Sequence, residues 1–186
     1  MGNIGNSYID ESAQIGSDVV IGKFCIIEAG VVLGEGVQLG DYVLVQEGAD
    51  IGPRTQIGTY CKVGANAKIG ADCSFTAYCE IRDHCDVGNK VLMGSRCTLS
   101  SRTIVGDDVI IKYGFVATDT PDLTHNDEKQ VCVLKKGSLY GANVTIMPAV
   151  TVGEYSQIGA SSQVRHDVPD RQIWFGCPAK YFKDAT

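Results

Sequence analysis

Large apolar residues recur along this chain with a period of six. Stepping from Ile9 meets Ile15, Ile21, Ile27, Leu33, Leu39, Val45, Ile51, Ile57, Val63, Ile69, Phe75, Ile81, Val87, Met93, Leu99, Val105 and Ile111, eighteen positions with no polar residue among them. In a chain that is 44% hydrophobic, chance gives such a run with a probability on the order of 10⁻⁶ or less, so the period belongs to the fold. The next position is Gly in eleven of the eighteen units, which predicts a tight corner where φ can turn positive. Four residues after each apolar step the side chain is small or β-branched, except at Phe115. A short strand followed by a turn cannot bury its apolar face alone, so successive rungs must stack into a solenoid. A helix is excluded, because residues six apart lie on different helical faces.

The period fails after Ala117. The segment ATDTPDLTHNDEKQVCVLKKGSL is polar and charged, and the repeat resumes one residue out of phase at Tyr140, Ile146, Val152, Ile158 and Val164. The expected organisation is one domain over 1–186, with coils over about 9–116 and 139–169, a loop over 117–138 and a tail over 170–186. An excursion from a solenoid corner usually serves function. This one holds His125, one of three histidines in the chain.

Composition narrows the partners. A net charge of −6 argues against nucleic acid, which needs a basic stripe. No apolar run approaches the roughly 18–20 residues that span a bilayer. Eight cysteines invite a disulfide or zinc reading. However, Cys25, Cys61, Cys73, Cys79, Cys85 and Cys97 all occupy the small position of the repeat, and there is no C-x-x-C pair. They read as buried hydrophobes in a reducing, cytoplasmic compartment, with no metal. Cys132 and Cys177 lie outside this pattern.

The stretch VLKKGSLYGANVTIMPAVTVGEYSQIGASSQVRHDVPDRQIWFGCPAK, from Val133 to Lys180, resembles the hexapeptide acyltransferases. It is most similar to the branch that N-acetylates nucleotide-linked amino sugars, such as the dTDP-3-amino-3,6-dideoxyhexose acetyltransferases. The resemblance implies an all-β fold, a left-handed parallel β-helix with three hexapeptides per coil, so that residues 18 apart stack. Cys61, Cys79 and Cys97 then form one internal column. His84, Arg102 and Thr120 share a corner column leading to the loop, where they are candidates to bind the acceptor. Gly141-Ala142-Asn143 lies beneath Gly159-Ala160-Ser161. The resemblance further implies a homotrimer with acetyl-CoA, or another acyl-CoA, lying between adjacent prisms. The N–H of Ala142 or Ala160, beside Gly141 and Gly159, would bind the thioester carbonyl, and Arg165, His166, Lys180 and Lys183 would meet the phosphates.

The chain departs from that pattern at the loop. The amino-sugar branch carries Thr-Asn where this chain has Thr118-Asp119. The related galactoside and maltose acetyltransferases carry a catalytic His where this chain has Thr120-Pro121, and His125 follows only later. Three readings of the base stay open: His125 oriented by Asp119, Asp119 itself, or no side chain at all. The acceptor is an amine or hydroxyl of a sugar, foremost a nucleotide-linked amino sugar. The alternatives are O-acetylation of a saccharide or antibiotic, a non-catalytic assembly subunit, and a γ-type carbonic anhydrase holding zinc on His84, His125 and His166.

Overall fold

The computed structural model describes residues 6–121, 124 and 130–185. Twenty-five two-residue strands, from Tyr8–Ile9 to Gln163–Val164, alternate with turns. They form three sheets of nine, eight and ten strands, all parallel except the last pair. Strand partners lie 18 residues apart, as in Tyr8↔Ile26, Gln14↔Val32 and Val20↔Gln38. Three rungs therefore make one coil of a left-handed parallel β-helix. We call the faces that begin at Tyr8–Ile9, Gln14–Ile15 and Val20–Ile21 faces 1, 2 and 3. Corner 1 joins face 1 to face 2, corner 2 joins face 2 to face 3, and corner 3 returns to face 1.

The period-two alternation of a strand turns the second residue of each rung inward. The repeat's apolar positions are accordingly buried from Ile27 onward, while those of the first coil are partly exposed, with no coil beneath them among the described residues. The repeat glycines sit at the corners for a different reason from the expected one. Gly64 has no positive φ; instead, a Cβ placed on it would lie 2.4 Å from the backbone nitrogen of Asp83 in the next coil. Stacked coils approach too closely there for any side chain. Positive φ falls two residues later, on eighteen non-glycine residues including Tyr42, His84 and Arg102. That conformation costs roughly 1–2 kcal/mol for an L-residue. It is held by coil-to-coil bonds, such as Tyr42 N–H to the Lys23 carbonyl at 2.8 Å. At corner 3 it is also offset by a ladder of stacked rings: Phe24, Tyr42, Tyr60 and Tyr78, with centroids 5.0, 4.8 and 5.1 Å apart.

The excursion is narrower than the polar segment suggested. Face 1 keeps its register below it (Thr98↔Val116), whereas the next pairings are Ile104↔Val133, Ile110↔Leu139 and Val116↔Thr145, 29 residues apart instead of 18. The chain thus inserts eleven residues at corner 1, between the strands Val116–Ala117 and Val133–Leu134. Eleven is one short of two rungs, which accounts for the slipped phase. Gln130 N–H bonds the Asp119 carbonyl at 2.8 Å and closes the neck of the loop.

That register gives Cys132 the small inward position, and it is buried. All eight thiols are free and only Cys177 is exposed. Burial pushes the Cys85 thiol up to about 12 and Cys132 up to about 11. A disulfide reagent at pH 8 should therefore titrate one thiol per native chain and eight in denaturant. Rapid reaction of three or more native thiols would contradict the packed column.

The coil ends under a hairpin. Gln172–Gly176 extends face 3 through Ile158↔Trp174, and Ala179–Asp184 pairs antiparallel with it. Among the described residues no helix is long and apolar enough to cross a membrane.

Candidate functional site

Corner 3 of the upper coils holds two stacked turns, Gly141-Ala142-Asn143 and Gly159-Ala160-Ser161, as the resemblance implied. The ladder bonds account for their neighbours. Gly141 N–H reaches the Ile158 carbonyl at 2.8 Å, Asn143 N–H the Tyr113 carbonyl at 2.9 Å, and Ser161 N–H the Ala142 carbonyl at 2.8 Å. The N–H groups of Ala142 and Ala160 are left over. Among the described residues neither has a protein acceptor. At a few equivalent turn positions a side chain of a neighbouring coil supplies one, for example Asn89 Oδ1 to Ala71 N–H at 2.9 Å, whereas those of Ala77 and Ser95 lower on corner 3 also have none among the described residues. Here no such Asx residue follows.

The glycines themselves do not face a ligand. A Cβ on Gly141 would meet the Ala160 nitrogen at 2.5 Å, and one on Gly159 would meet the Phe175 Cβ at 2.8 Å. They are small because backbone and hairpin lie against them. Two cavities open beside the turns. On the face 3 side lies an apolar cleft of about 370 Å³, lined by Ile110, Leu139, Gly141, Gln157, Gly159 and Ile173, with Lys112 at its edge. Along corner 3 itself, toward the lower coils, lies a more polar notch of about 420 Å³ at Arg96, Tyr113, Gly114 and Asn143. Sequence reasoning missed Arg96, Tyr113 and Gly114, because the inserted loop hides the fact that Gly114 and Asn143 stack.

The loop lies elsewhere. It leaves corner 1, directly above the exposed side chains of His84 and Arg102, which share that corner one coil apart. Thr120, eighteen residues after Arg102, lies at the start of the excursion and lacks the positive φ that His84 and Arg102 share. Its hydroxyl donates to Asp119 Oδ1 at 3.0 Å, and Asp119 is buried at 7% exposure. Thr118 Oγ1 anchors the loop's start by donating to the Ile146 carbonyl at 2.8 Å. His125 lies outside the described residues. One whole face separates corner 1 from corner 3, so a single chain does not bring Asp119 to Ala142 and Ala160.

The four basic candidates divide as well. Arg165 and His166 are exposed at the top of corner 1. Lys180 and Lys183 are on the hairpin, paired with Phe175 and Ile173. The hairpin tip reaches Arg165 through a shared partner: Arg165 Nε donates to Gln163 Oε1 at 2.7 Å, and Cys177 Sγ lies 3.8 Å from the same oxygen. Arg165 and Lys180 therefore flank one end of the prism, with Lys183 further across face 3. Among the described residues no three His, Cys, Asp or Glu side chains converge in a metal-holding group.

Comparison with known proteins agrees with the repeat. A model of the bacterial transferase hexapeptide, six repeats long, matches residues 18–49. A dTDP-3-amino-3,6-dideoxy-alpha-D-galactopyranose 3-N-acetyltransferase of Aneurinibacillus thermoaerophilus is 42% identical over 48 residues, 26% of this chain and 25% of that protein. The bifunctional protein GlmU of Rubrobacter xylanophilus is 33% identical over 58 residues, 31% of this chain and 12% of that protein. The matches thus span a quarter or less of these relatives' lengths. Among solved structures, a Francisella novicida UDP-N-acetylglucosamine acyltransferase covers 96% of the chain and 69% of its own, with a TM-score of 0.85 at 18% identity. LpxA from Acinetobacter baumannii covers 95% of the chain and 72% of its own, with a TM-score of 0.69 at 23% identity. At such identities the structural likeness speaks for the fold. By its repeat and its three-faced prism the chain has the fold of a left-handed parallel β-helix, and over residues 18–49 its sequence is similar to the bacterial transferase hexapeptide.

Proposed function

We propose that this protein is an acyltransferase that moves an acetyl group from acetyl-CoA to the amine of a nucleotide-linked amino sugar. The observation that carries the reading is the pair of stacked, unclaimed N–H groups of Ala142 and Ala160 beside an apolar cleft. The cleft suits the pantetheine arm of coenzyme A, and the N–H groups suit the thioester carbonyl. The nucleotide-amino-sugar acceptor is taken from the Aneurinibacillus relative.

The amine's lone pair attacks the carbonyl carbon, and the oxygen gains negative charge as the tetrahedral intermediate forms. Donors fixed on the prism meet that charge without reorganising, and such fixed donors often lower the barrier to acyl transfer more than any other group in the site. Collapse of the intermediate breaks the C–S bond and expels the coenzyme A thiolate. The amine loses its proton to His125, with Asp119 orienting the imidazole, and the thiolate is protonated from the same site or from water. Arg165, His166 and Lys180 at the prism's end receive the donor's phosphates, and Lys183 contributes charge from further out.

Because corner 1 and corner 3 are a face apart, the loop of one copy completes the site of another, which supports a homotrimer with active sites between subunits. The free thiols fit a reducing, cytoplasmic setting.

Titration with coenzyme A tests the reading, with a dissociation constant below about 1 mM expected. No heat at that concentration would favour a non-catalytic assembly subunit. The base is tested by His125→Ala, read as kcat/KM across pH. The parent's rate should rise with pH as the imidazole becomes neutral. The variant should lose that limb and at least about tenfold in rate. A change below about threefold assigns the proton to Asp119 or to water.

A further inference from the structure

Corner 3 carries a large side chain on each coil from Phe24 through Tyr42, Tyr60 and Tyr78 to Arg96, and then the column breaks at Gly114. Asn143 resumes it one coil higher, leaning over the gap: a Cβ on Gly114 would collide with its Oδ1. The missing rung opens the notch of about 420 Å³, lined by Thr76, Ser95, Arg96, Tyr113, Gly114 and Asn143. The side chains that line it are rich in hydrogen-bond donors. There is a guanidinium, a phenol that is largely exposed, a carboxamide, and the Thr76–Ser95 hydroxyl pair 2.9 Å apart. No Asp or Glu lines it, although the chain's net charge is −6. Among the described residues no carboxylate comes within ion-pair distance of Arg96. A guanidinium left with open donors beside hydroxyls is suited to grip an oxyanion with two parallel bonds.

We infer that this notch binds an oxyanion carried by the acceptor, a phosphate of the nucleotide-linked sugar in the first place. Arg96 and Asn143 are two coils apart, roughly 10 Å at the usual strand spacing. Gripping the phosphate there places the sugar above it along the corner, with its amine directed at the thioester held by Ala142 and Ala160. The inference rests on corner 3 being the transfer site.

The test is calorimetric titration of the parent and Arg96→Asn with coenzyme A, inorganic pyrophosphate and glucuronate as separate probes. Asn is chosen because it tolerates the left-handed corner that Arg96 occupies at φ 60°, and equal unfolding midpoints would show that the coil is intact. The expected result is a loss of at least about tenfold in pyrophosphate affinity, with coenzyme A affinity kept within about twofold. An Arg96-dependent loss for glucuronate instead also supports the notch and makes the acceptor's oxyanion a carboxylate. The inference is overturned if the parent binds neither oxyanion or if Arg96→Asn leaves both unchanged. It is equally overturned if coenzyme A loses as much as pyrophosphate, which would give the arginine to the donor's phosphates. A parent that binds pyrophosphate through Arg96 but no coenzyme A overturns the transferase reading and the acceptor assignment with it, leaving only an anion site.

Discussion

Ala160→Pro is expected to lower kcat by about 10²–10³-fold, the usual effect of removing one oxyanion donor, while leaving the prism folded. Proline deletes the N–H and nothing else that the turn needs. The chain itself supplies the precedent. Pro53 occupies the same turn position at corner 2, after Gly52 and before Arg54 with its φ of 59°. Ala160 follows Gly159 and precedes Ser161, whose φ is 57°. A Cβ on Gly34 would lie 2.7 Å from the Pro53 nitrogen, and one on Gly141 would lie 2.5 Å from the Ala160 nitrogen, so the coil below accommodates both turns in the same way. The ring also needs φ near −65°, a value compatible with the first central position of such a turn. Turnover is measured as release of free coenzyme A with a dTDP-linked 3-amino sugar as acceptor. Binding of coenzyme A and the unfolding midpoint serve as controls. A fall in kcat of less than about threefold, with the fold intact, would show that the Ala160 N–H does not meet the developing charge.

Phe115→Ala is expected to cost about 3–5 kcal/mol of stability, the range for emptying a buried aromatic site. For a chain of this size that corresponds to a fall in the unfolding midpoint of roughly 10 °C. Phe115 has no exposed surface and is the one large residue at a position otherwise kept small in the eighteen-unit run. It meets Tyr140 edge-on at 5.1 Å between centroids. Tyr140 is equally buried, and its hydroxyl lies 3.0 Å from Ser138 Oγ, so it is held in place and poorly able to collapse into the void. Phe115 directly follows Gly114, and the loss would therefore also loosen the notch above Arg96. A fall of less than about 2 °C would mean that the aromatic pair repacks freely.

The prism could be read from the sequence because each of its rungs repeats one local solution. The inward side chain, the close coil contact at the glycine and the small corner residue recur every six residues, and eighteen repetitions outweigh any single exception. The corner turns are legible for the same reason, while the stacking of Gly141-Ala142-Asn143 beneath Gly159-Ala160-Ser161 needs the three-repeat coil that the resemblance implies. What the sequence hid follows from the eleven inserted residues. They shift the stacking distance from 18 to 29 for one coil. For the same reason Cys132 stood outside the pattern, and the column from Arg96 through Gly114 to Asn143 went unseen. The glycines were identified correctly as corners but for a conformational reason, when most of them answer to the crowding of backbone on backbone. That crowding is a property of stacked coils and has no signature within one repeat. Nor could the order of residues alone show that the loop and the N–H pair sit on different edges of the prism.

The neck of the loop has a consequence for how such proteins diversify. Gln130 and Asp119 clasp through one main-chain bond, and the strands on either side keep their partners as though nothing lay between them. Everything past the clasp can thus be lengthened, shortened or replaced as a cassette, because closing a longer loop costs only about 0.6 kcal/mol for each doubling of its length. On the proposed function, acceptor preference can then change through the loop while the stacked coils stay untouched.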